Sequence, residues 1–377
     1  VIEHVHIENF KCFKDFDIDL GPFNVLVGPN GSGKSAFFDA IRVASEVVSS
    51  GRCVASSGDL APKFGVSEQD VSLWSSAPER VWRIGIRTAS AVNIEIEWVL
   101  QHDDAGSTGH AEAKGNMEVE PSESEPAAGD DQCTKVNLAE TPEMRQMRKA
   151  MTPVMLFQLE PRAIRQPSRL QEEPVKLGGH GEGLSVFMQS IFGLRRENFL
   201  QCEQEFLKRF PEYERIVYKT KKADPILGQP QDLGQVLRFQ IKSGPEVPAE
   251  DVSDGALLSL AYLAVCNHPD PPKVLLIEEP ENGIHPRGLE DVVVNLKHLA
   301  ADRGVQVILT THSPYLVDLV ELSEMHLFAK DSAGAVKTRS LASSPQAQKL
   351  KDDFMTGEIW ATFEEESIVF QSEQKNG

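Results

Sequence analysis

The stretch Gly28-Pro-Asn-Gly-Ser-Gly-Lys-Ser35 limits the fold more than any other eight residues of this chain. It matches G-x-x-x-x-G-K-[ST], and its flanks matter as much as its letters. Asn24-Val-Leu-Val27 before it is a short apolar run of the kind found in a buried parallel strand. After it, Phe38, Ile41, Ala44 and Val48 share one face, which predicts a helix over Ser35–Val48. Strand, glycine loop and helix in this order form a phosphate cradle and require an α/β fold. Gly28, Gly31 and Gly33 permit backbone conformations that bring several N–H groups toward one anion. The helix start adds the positive end of its dipole. Lys34 is expected to reach the β- and γ-phosphates of ATP, and the Ser35 hydroxyl to hold Mg²⁺. Asn30, Gly31, Ser32, Gly33, Lys34, Ser35 and Ala36 are the residues expected to line the nucleotide.

Two further strands are expected to end at the same sheet edge, where open α/β sheets gather their ligands. Lys273-Val-Leu-Leu-Ile277 delivers Glu278 and Glu279 at its C-terminal end. Adjacent residues on a strand point to opposite sides, so the two carboxylates can take different tasks. Glu278 is assigned to Mg²⁺ through its water shell, and Glu279 to orienting the attacking water. Val305-Gln-Val-Ile-Leu309 leads into Thr310-Thr-His312, which makes His312 a γ-phosphate sensor in this reading. A fourth stretch, Val252-Ser-Asp-Gly-Ala256, precedes Leu257, Leu260, Ala261 and Ala264 at helical spacing. Asp251 or Ser253 can cap that helix, and capping is compatible with anion contact because a helix N-terminus is where an anion binds.

These four stretches resemble the ABC-type ATPase heads of the SMC, RecF and OLD (overcoming-lysogenization-defect) group. The opening Ile7-Glu-Asn-Phe-Lys-Cys-Phe-Lys14 and Phe23 to Ser35 resemble the first strands of those heads. Glu279-Pro-Glu-Asn-Gly-Ile-His-Pro286 with Thr311-His-Ser-Pro314 is similar to the stand-alone OLD-like branch. The resemblance implies a P-loop NTPase fold: an ABC-ATPase head with a mixed sheet and an inserted helical subdomain. It also implies head-to-head association in which Ser253, Asp254 and Gly255 meet the nucleotide bound by a partner chain. Three departures stand out. The signature reads Val-Ser-Asp-Gly-Ala rather than Leu-Ser-Gly-Gly-Gln, which disfavours a transporter subunit. Glu278 stands where most relatives carry Asp, so its carboxylate sits one methylene further out. The glutamine loop has one candidate, Gln158, after the apolar Val154–Phe157.

The expected organisation is a first ATPase lobe over 1–160, a helical insertion or lid over 161–235, a second lobe over 236–345 and a C-terminal tail over 346–377. Within the first lobe, strands are expected near Val5–Ile7, Ile18–Leu20 and Asn24–Val27. Arg80–Arg87 and Val92–Leu100 alternate like paired antiparallel strands. Residues from about 102 to 132, with nine acids and one lysine between Gln101 and Asp131, read as a flexible acidic insertion. Ser49–Gly58 reads as another loose segment. The pattern turns helical from about Arg162 to Lys222, and closing strands are expected near Met325–Lys330 and Val336–Leu341. No run sustains the heptads of long SMC arms. No Asp/Glu/His constellation is expected outside the ATP site.

No apolar run approaches the ~20 residues that span a bilayer, and the chain enters a strand without a signal-peptide pattern. Its five cysteines show no paired spacing, so a reducing cytoplasm is the expected compartment. A net charge of −19 argues against the whole surface gripping nucleic acid. Two basic stretches, Arg145 to Arg169 and Arg195 to Lys222, leave a local DNA or RNA path open against the blander reading of solvated helix faces. The favoured function is an ATP-hydrolysing head that forms a homodimer or higher oligomer through its ATP sites and licenses a separate, nuclease-like effector. Anti-phage defence or DNA maintenance follows from the resemblance alone. A RecF-like DNA-binding repair ATPase and a non-hydrolysing assembly switch are the alternatives.

Overall fold

The computed structural model describes residues 1–50, 79–89, 92–103, 106–115, 142–169, 175–222, 233–362 and 365–370. The chain opens with β1 (Ile2–Phe10), β2 (Phe13–Asp19), β3 (Phe23–Val27) and the helix α1 (Lys34–Ser50). Then come β4 (Glu79–Thr88), β5 (Asn93–Asp103), β6 (Gly106–Gly115), α2 (Pro142–Met151) and β7 (Val154–Phe157). The middle holds α3 (Pro161–Ile164), β8 (Ser168–Arg169), α4 (Leu184–Leu194), α5 (Arg196–Arg209), β9 (Tyr213–Lys222), β10 (Leu233–Ile241) and β11 (Glu246–Pro248). Next are α6 (Asp254–Asn267), β12 (Val274–Glu278), α7 (Pro286–Arg303), β13 (Gln306–Thr311), α8 (Pro314–Val317), β14 (Met325–Lys330) and β15 (Val336–Ser340). Three short helices, α9 (Pro345–Leu350), α10 (Thr356–Thr362) and α11 (Glu365–Val369), follow.

The chain divides into two units, 1–154 with 272–276 and 304–377, and 155–271 with 277–303. In the first unit an antiparallel sheet has the order β2-β1-β4-β5-β6. The six-stranded sheet runs β15-β14-β3-β13-β12-β7. It is mixed: β3 pairs in parallel with both β13 and β14, and β15 returns antiparallel to β14. All five residues of β3 are buried, as a central parallel strand requires. The polar member, Asn24, is satisfied there. Its amide donates to the Gly21 carbonyl at 2.8 Å, and its Oδ1 accepts the Gly21 N–H at 2.8 Å. The side chain of α1 residue Phe37 joins Phe13, Phe16 and Phe328 in an aromatic cluster, with ring centroids 4.5 to 6.0 Å apart. Such rings gain from tilted contact beyond the apolar area they bury.

Buried Gln306 has a role that no pattern in the chain signals. Its Oε1 accepts the Ile2 N–H at 2.8 Å, and its Nε2 donates to the carbonyls of Ile2 and Gly21 at 2.8 Å each. One side-chain amide thus stands in for a strand partner and fastens β1 beside the approach to β3.

In the second unit β8 to β11 form an antiparallel sheet, with β9 paired along β10. The helical reading of this region holds for α4 and α5 and stops at Arg209. Tyr213–Lys222 is a strand because Tyr213, Ile216, Val217, Tyr218 and Thr220 are aromatic or β-branched, types that suit a pleated surface. Phe206, Tyr213 and Phe239 pack together, with centroids 5.3 to 6.0 Å apart. Two other expectations change. Residues 102–103 and 106–115 of the expected acidic insertion are strand instead, since β5 continues to Asp103 and β6 pairs along it. The remainder of that insertion, and most of Ser49–Gly58, lie outside the described residues. Described residues of the C-terminal tail form α9, α10 and α11, and Ile359, Ile368 and Val369 are buried.

Candidate ATP site

The first unit carries the phosphate loop. Gly31 and Gly33 adopt φ of 77° and 101°, a region that costs glycine little. Gly28 is needed for another reason: a Cβ there would lie 2.3 Å from the Phe328 carbonyl oxygen. Lys34 is buried and folds over the loop, its Nζ donating to the Gly28 carbonyl at 2.7 Å, the Pro29 carbonyl at 3.1 Å and Ser32 Oγ at 3.4 Å. Ser35 lies exposed on the first turn of α1. The helix is longer than expected by a residue or two at each end, and Phe38, Ile41, Ala44 and Val48 are fully buried. Lys11 ties the β1–β2 turn to α1 through Asp39 at 2.7 Å.

His312 belongs to the same unit. Thr311 pairs with Val27, so the residues that follow each, His312 and Gly28, leave adjacent parallel strands at one edge. The Ser313 N–H bonds to Thr311 Oγ1 at 2.9 Å, turning the chain toward α8 just past the half-buried imidazole. At the other end of β13, the Gln306 N–H donates to the Lys273 carbonyl, so β12 enters beside β13 start against start.

The second unit carries the paired glutamates and the signature. Four buried apolar residues of β12 lead to half-buried Glu278, with half-buried Glu279 next. Glu279 has φ of 44°, the left-handed region that non-glycine residues rarely occupy. A turn holds it there: the Asn282 N–H donates to the Glu279 carbonyl at 3.0 Å, and Asn282 Nδ2 to Glu279 Oε2 at 2.7 Å. Ser253, rather than Asp251, caps α6, its Oγ accepting the Ala256 N–H at 3.4 Å. Nearly every residue of α6 after its first turn is buried, while Ser253 and Asp254 at its start are exposed. Gly255 lets the turn after the glutamates approach, since a Cβ there would sit 3.3 Å from the Gly283 carbonyl oxygen. Gln158 is exposed just past β7, its backbone bonded to Gly179 and His180.

Arg165 was not separable in sequence from its basic neighbours. Its Nε donates to the Ala249 carbonyl at 3.2 Å and its Nη2 to the Val252 carbonyl at 2.7 Å, and it pairs with Asp254 at 2.6 Å. Other members of the basic stretches are also engaged. Arg148 donates to the Val48 carbonyl, Arg209 pairs with Asp291, and Lys219 with Glu246. These contacts reduce the free cationic surface that a nucleic-acid path would use.

The expectation of no second acidic or histidine constellation is corrected by the β1–β2 hairpin. There His4 faces Asp19 and His6 faces Asp17 across the strands. His6, Asp15 and Asp17 bring ligand atoms within 4.8 Å of one another. Sequence pattern hid this cluster, because partners 11 to 15 residues apart become neighbours only through the hairpin register. Asp15, Asp17 and Asp19 are 65%, 56% and 84% exposed, so the group is a solvated histidine–aspartate ladder. No helix among the described residues is long and apolar enough to cross a membrane.

A glycine loop with its buried lysine, between a central parallel strand and a helix, defines a P-loop nucleoside-triphosphatase fold. Comparison with known proteins narrows it. A family described as "AAA domain, putative AbiEii toxin, Type IV TA system" matches residues 149–318, and one described as an AAA domain matches residues 4–124. The chain is 23% identical over 344 residues to the OLD nuclease of Thermus scotoductus, covering 88% of this chain and 62% of that protein. It is 33% identical over 112 residues to the uncharacterized ABC transporter ATP-binding protein YhcH of Bacillus subtilis, 30% of either chain. It therefore spans less than two thirds of the length of these curated relatives. A solved SmcHead bound to the C-winged helix domain of ScpA superposes with a TM-score of 0.55 at 20% identity, covering 92% of this chain and 99% of that one. An Smc head domain with an extended coiled coil, bound to the C-terminal domain of ScpA derived from Pyrococcus furiosus, gives 0.52 at 14% identity, covering 93% and 98%. The chain has the fold of an SMC/OLD-like ABC-type ATPase head.

Proposed function

We propose that this chain binds and hydrolyses ATP in a site shared by two copies, and that the resulting dimer passes its nucleotide state to a separate effector. The observation that carries the hydrolytic reading is Glu279. A carboxylate directly after a buried strand, held in a left-handed backbone and hydrogen-bonded by Asn282, is a strained arrangement of the kind that clusters at functional sites. The loop fits a polyphosphate: Gly31 and Gly33 have the required backbone, and the Lys34 ammonium donates to the Gly28 and Pro29 carbonyls and to Ser32 Oγ, neutral oxygens that are weaker acceptors than a phosphate.

In this reading Lys34 turns from the loop carbonyls to the β- and γ-phosphate oxygens and offsets their charge. Ser35, and Glu278 through water, would hold Mg²⁺, which would further neutralise the phosphate oxygens. Glu279 orients the water for in-line attack and accepts its proton. His312 senses the γ-phosphate from the neighbouring strand. The partner's Ser253 and the N-terminus of its α6 close the site, where the helix dipole favours an anion. Exposure of Ser253 and Asp254 suits that role, because a group that meets another chain must lie at the surface. Coupling to an effector, an anti-phage or DNA-maintenance role and a cytoplasmic site of action rest on similarity to the OLD nuclease.

Phosphate release from Glu279→Gln is expected to fall about 10²–10⁴-fold, the usual worth of a positioned base. Fluorescent-nucleotide binding should persist in that variant and disappear in Lys34→Ala. Wild-type turnover at background would favour the non-hydrolysing switch, and full activity in Glu279→Gln would remove the assigned base.

A further inference from the structure

The signature segment of this chain contains an electrostatic problem. Asp254 stands in the first turn of α6, next to Ser253. A carboxylate there favours the helix itself, because it faces the positive dipole end. It opposes any phosphate brought to the same helix end, because like charges repel. The structure supplies the counter-charge from another element. Arg165, one residue past α3, pairs with Asp254 at 2.6 Å while spanning the carbonyls of Ala249 and Val252 at 3.2 and 2.7 Å.

We propose that Arg165 is a positioning residue for ATP-dependent dimerisation: its guanidinium fixes the signature segment and cancels the Asp254 charge, so that Ser253 and the α6 N-terminus can receive a nucleotide phosphate from a second copy of this chain. The inference rests on the shared-site reading above. Three features support it. The guanidinium is planar and forked, so one side chain can bond two carbonyls and a carboxylate together, which an ammonium does poorly. Arg165 is 20% exposed and Asp254 58%, so the pair is anchored on the inner side and open on the outer one. The two bonded carbonyls lie just before α6, so the clamp holds the chain that leads into the helix rather than the helix body.

The test uses the full chain carrying Glu279→Gln, so that hydrolysis does not deplete ATP. Sedimentation with saturating Mg-ATP gives a dimerisation constant, and fluorescent ATP at dilute protein gives the affinity of the phosphate loop alone. Arg165→Ala is expected to weaken dimerisation about tenfold or more, the worth of charge-assisted hydrogen bonds. Its dilute ATP affinity should stay within about twofold of the parent, since the phosphate loop belongs to the other unit. Adding Asp254→Asn should recover part of the loss, and Arg165→Lys should fall between parent and Arg165→Ala. Unchanged dimerisation in Arg165→Ala overturns the proposal. So does a parallel loss of ATP affinity, or no recovery with Asp254→Asn when Arg165→Lys is as weak as Arg165→Ala. A parent that binds ATP yet never dimerises overturns the shared-site reading instead, and this proposal with it.

Discussion

At the scale of single residues, the phosphate-loop motif was legible and the contacts that hold the neighbouring segments were not. Gly28 to Ser35 could be read as a phosphate loop because the motif is local and its flanking strand and helix are local too. The Gly28 requirement is sharper in the structure, where the Phe328 carbonyl leaves no room for a side chain. Gly28→Ala must therefore displace backbone, an overpacking cost of about 1–3 kcal/mol, and should weaken ATP binding by about tenfold or more in a fluorescent-nucleotide titration. Affinity equal to wild type would show that the loop does not depend on this approach. Arg165 and Asn282 could not have been found by pattern. An arginine among other basic residues looks like a solvated face until its carbonyl partners, 84 and 87 residues away, are known. The left-handed backbone of Glu279 is equally silent in sequence, because Glu has no preference for it.

Elements were legible where hydrophobic period and length agreed. Buried β3 and β12 follow from the apolar runs Val25–Val27 and Val274–Ile277, and α1 from its repeating face. Strand β9 was misread because charged residues interrupt its alternation, and only the pairing with β10 decides its state. The β1–β2 ladder and the Gln306 fastening share this cause: one is set by hairpin register and the other by a contact between residues 304 apart in sequence. Gln306→Leu leaves the Ile2 N–H and two carbonyls without their partner. Urea unfolding should report a loss of about 2–4 kcal/mol, the sum expected for several buried hydrogen bonds. A loss below about 1 kcal/mol would mean that β1 is held by its two sheet neighbours alone.

For the whole molecule, one buried histidine sets a pH dependence. His326 is buried in β14 with its Nε2 3.2 Å from Asn24 Oδ1, and burial pushes its pKa down from 6.5 to about 4. The unfolded chain therefore takes up a proton between pH 6.5 and 4 that the folded chain refuses. Stability contributed by the neutral ring is complete above about pH 6.5 and declines as pH falls toward 4. It levels off below that, a total of about 3 kcal/mol. Urea midpoints measured from pH 7 to 4.5 should fall less steeply in His326→Gln than in wild type; equal slopes would assign the titration elsewhere. Completion of the site by a second copy can be read from a mixture of two inactive chains, Lys34→Ala and Ser253→Arg. Each alone should release phosphate at background. If the phosphate loop of one copy meets the signature of the other, mixed dimers contain one intact site, and an equimolar mixture should recover up to about a quarter of wild-type turnover. A mixture no more active than its components, or a Ser253→Arg chain that hydrolyses ATP like wild type, would contradict the account.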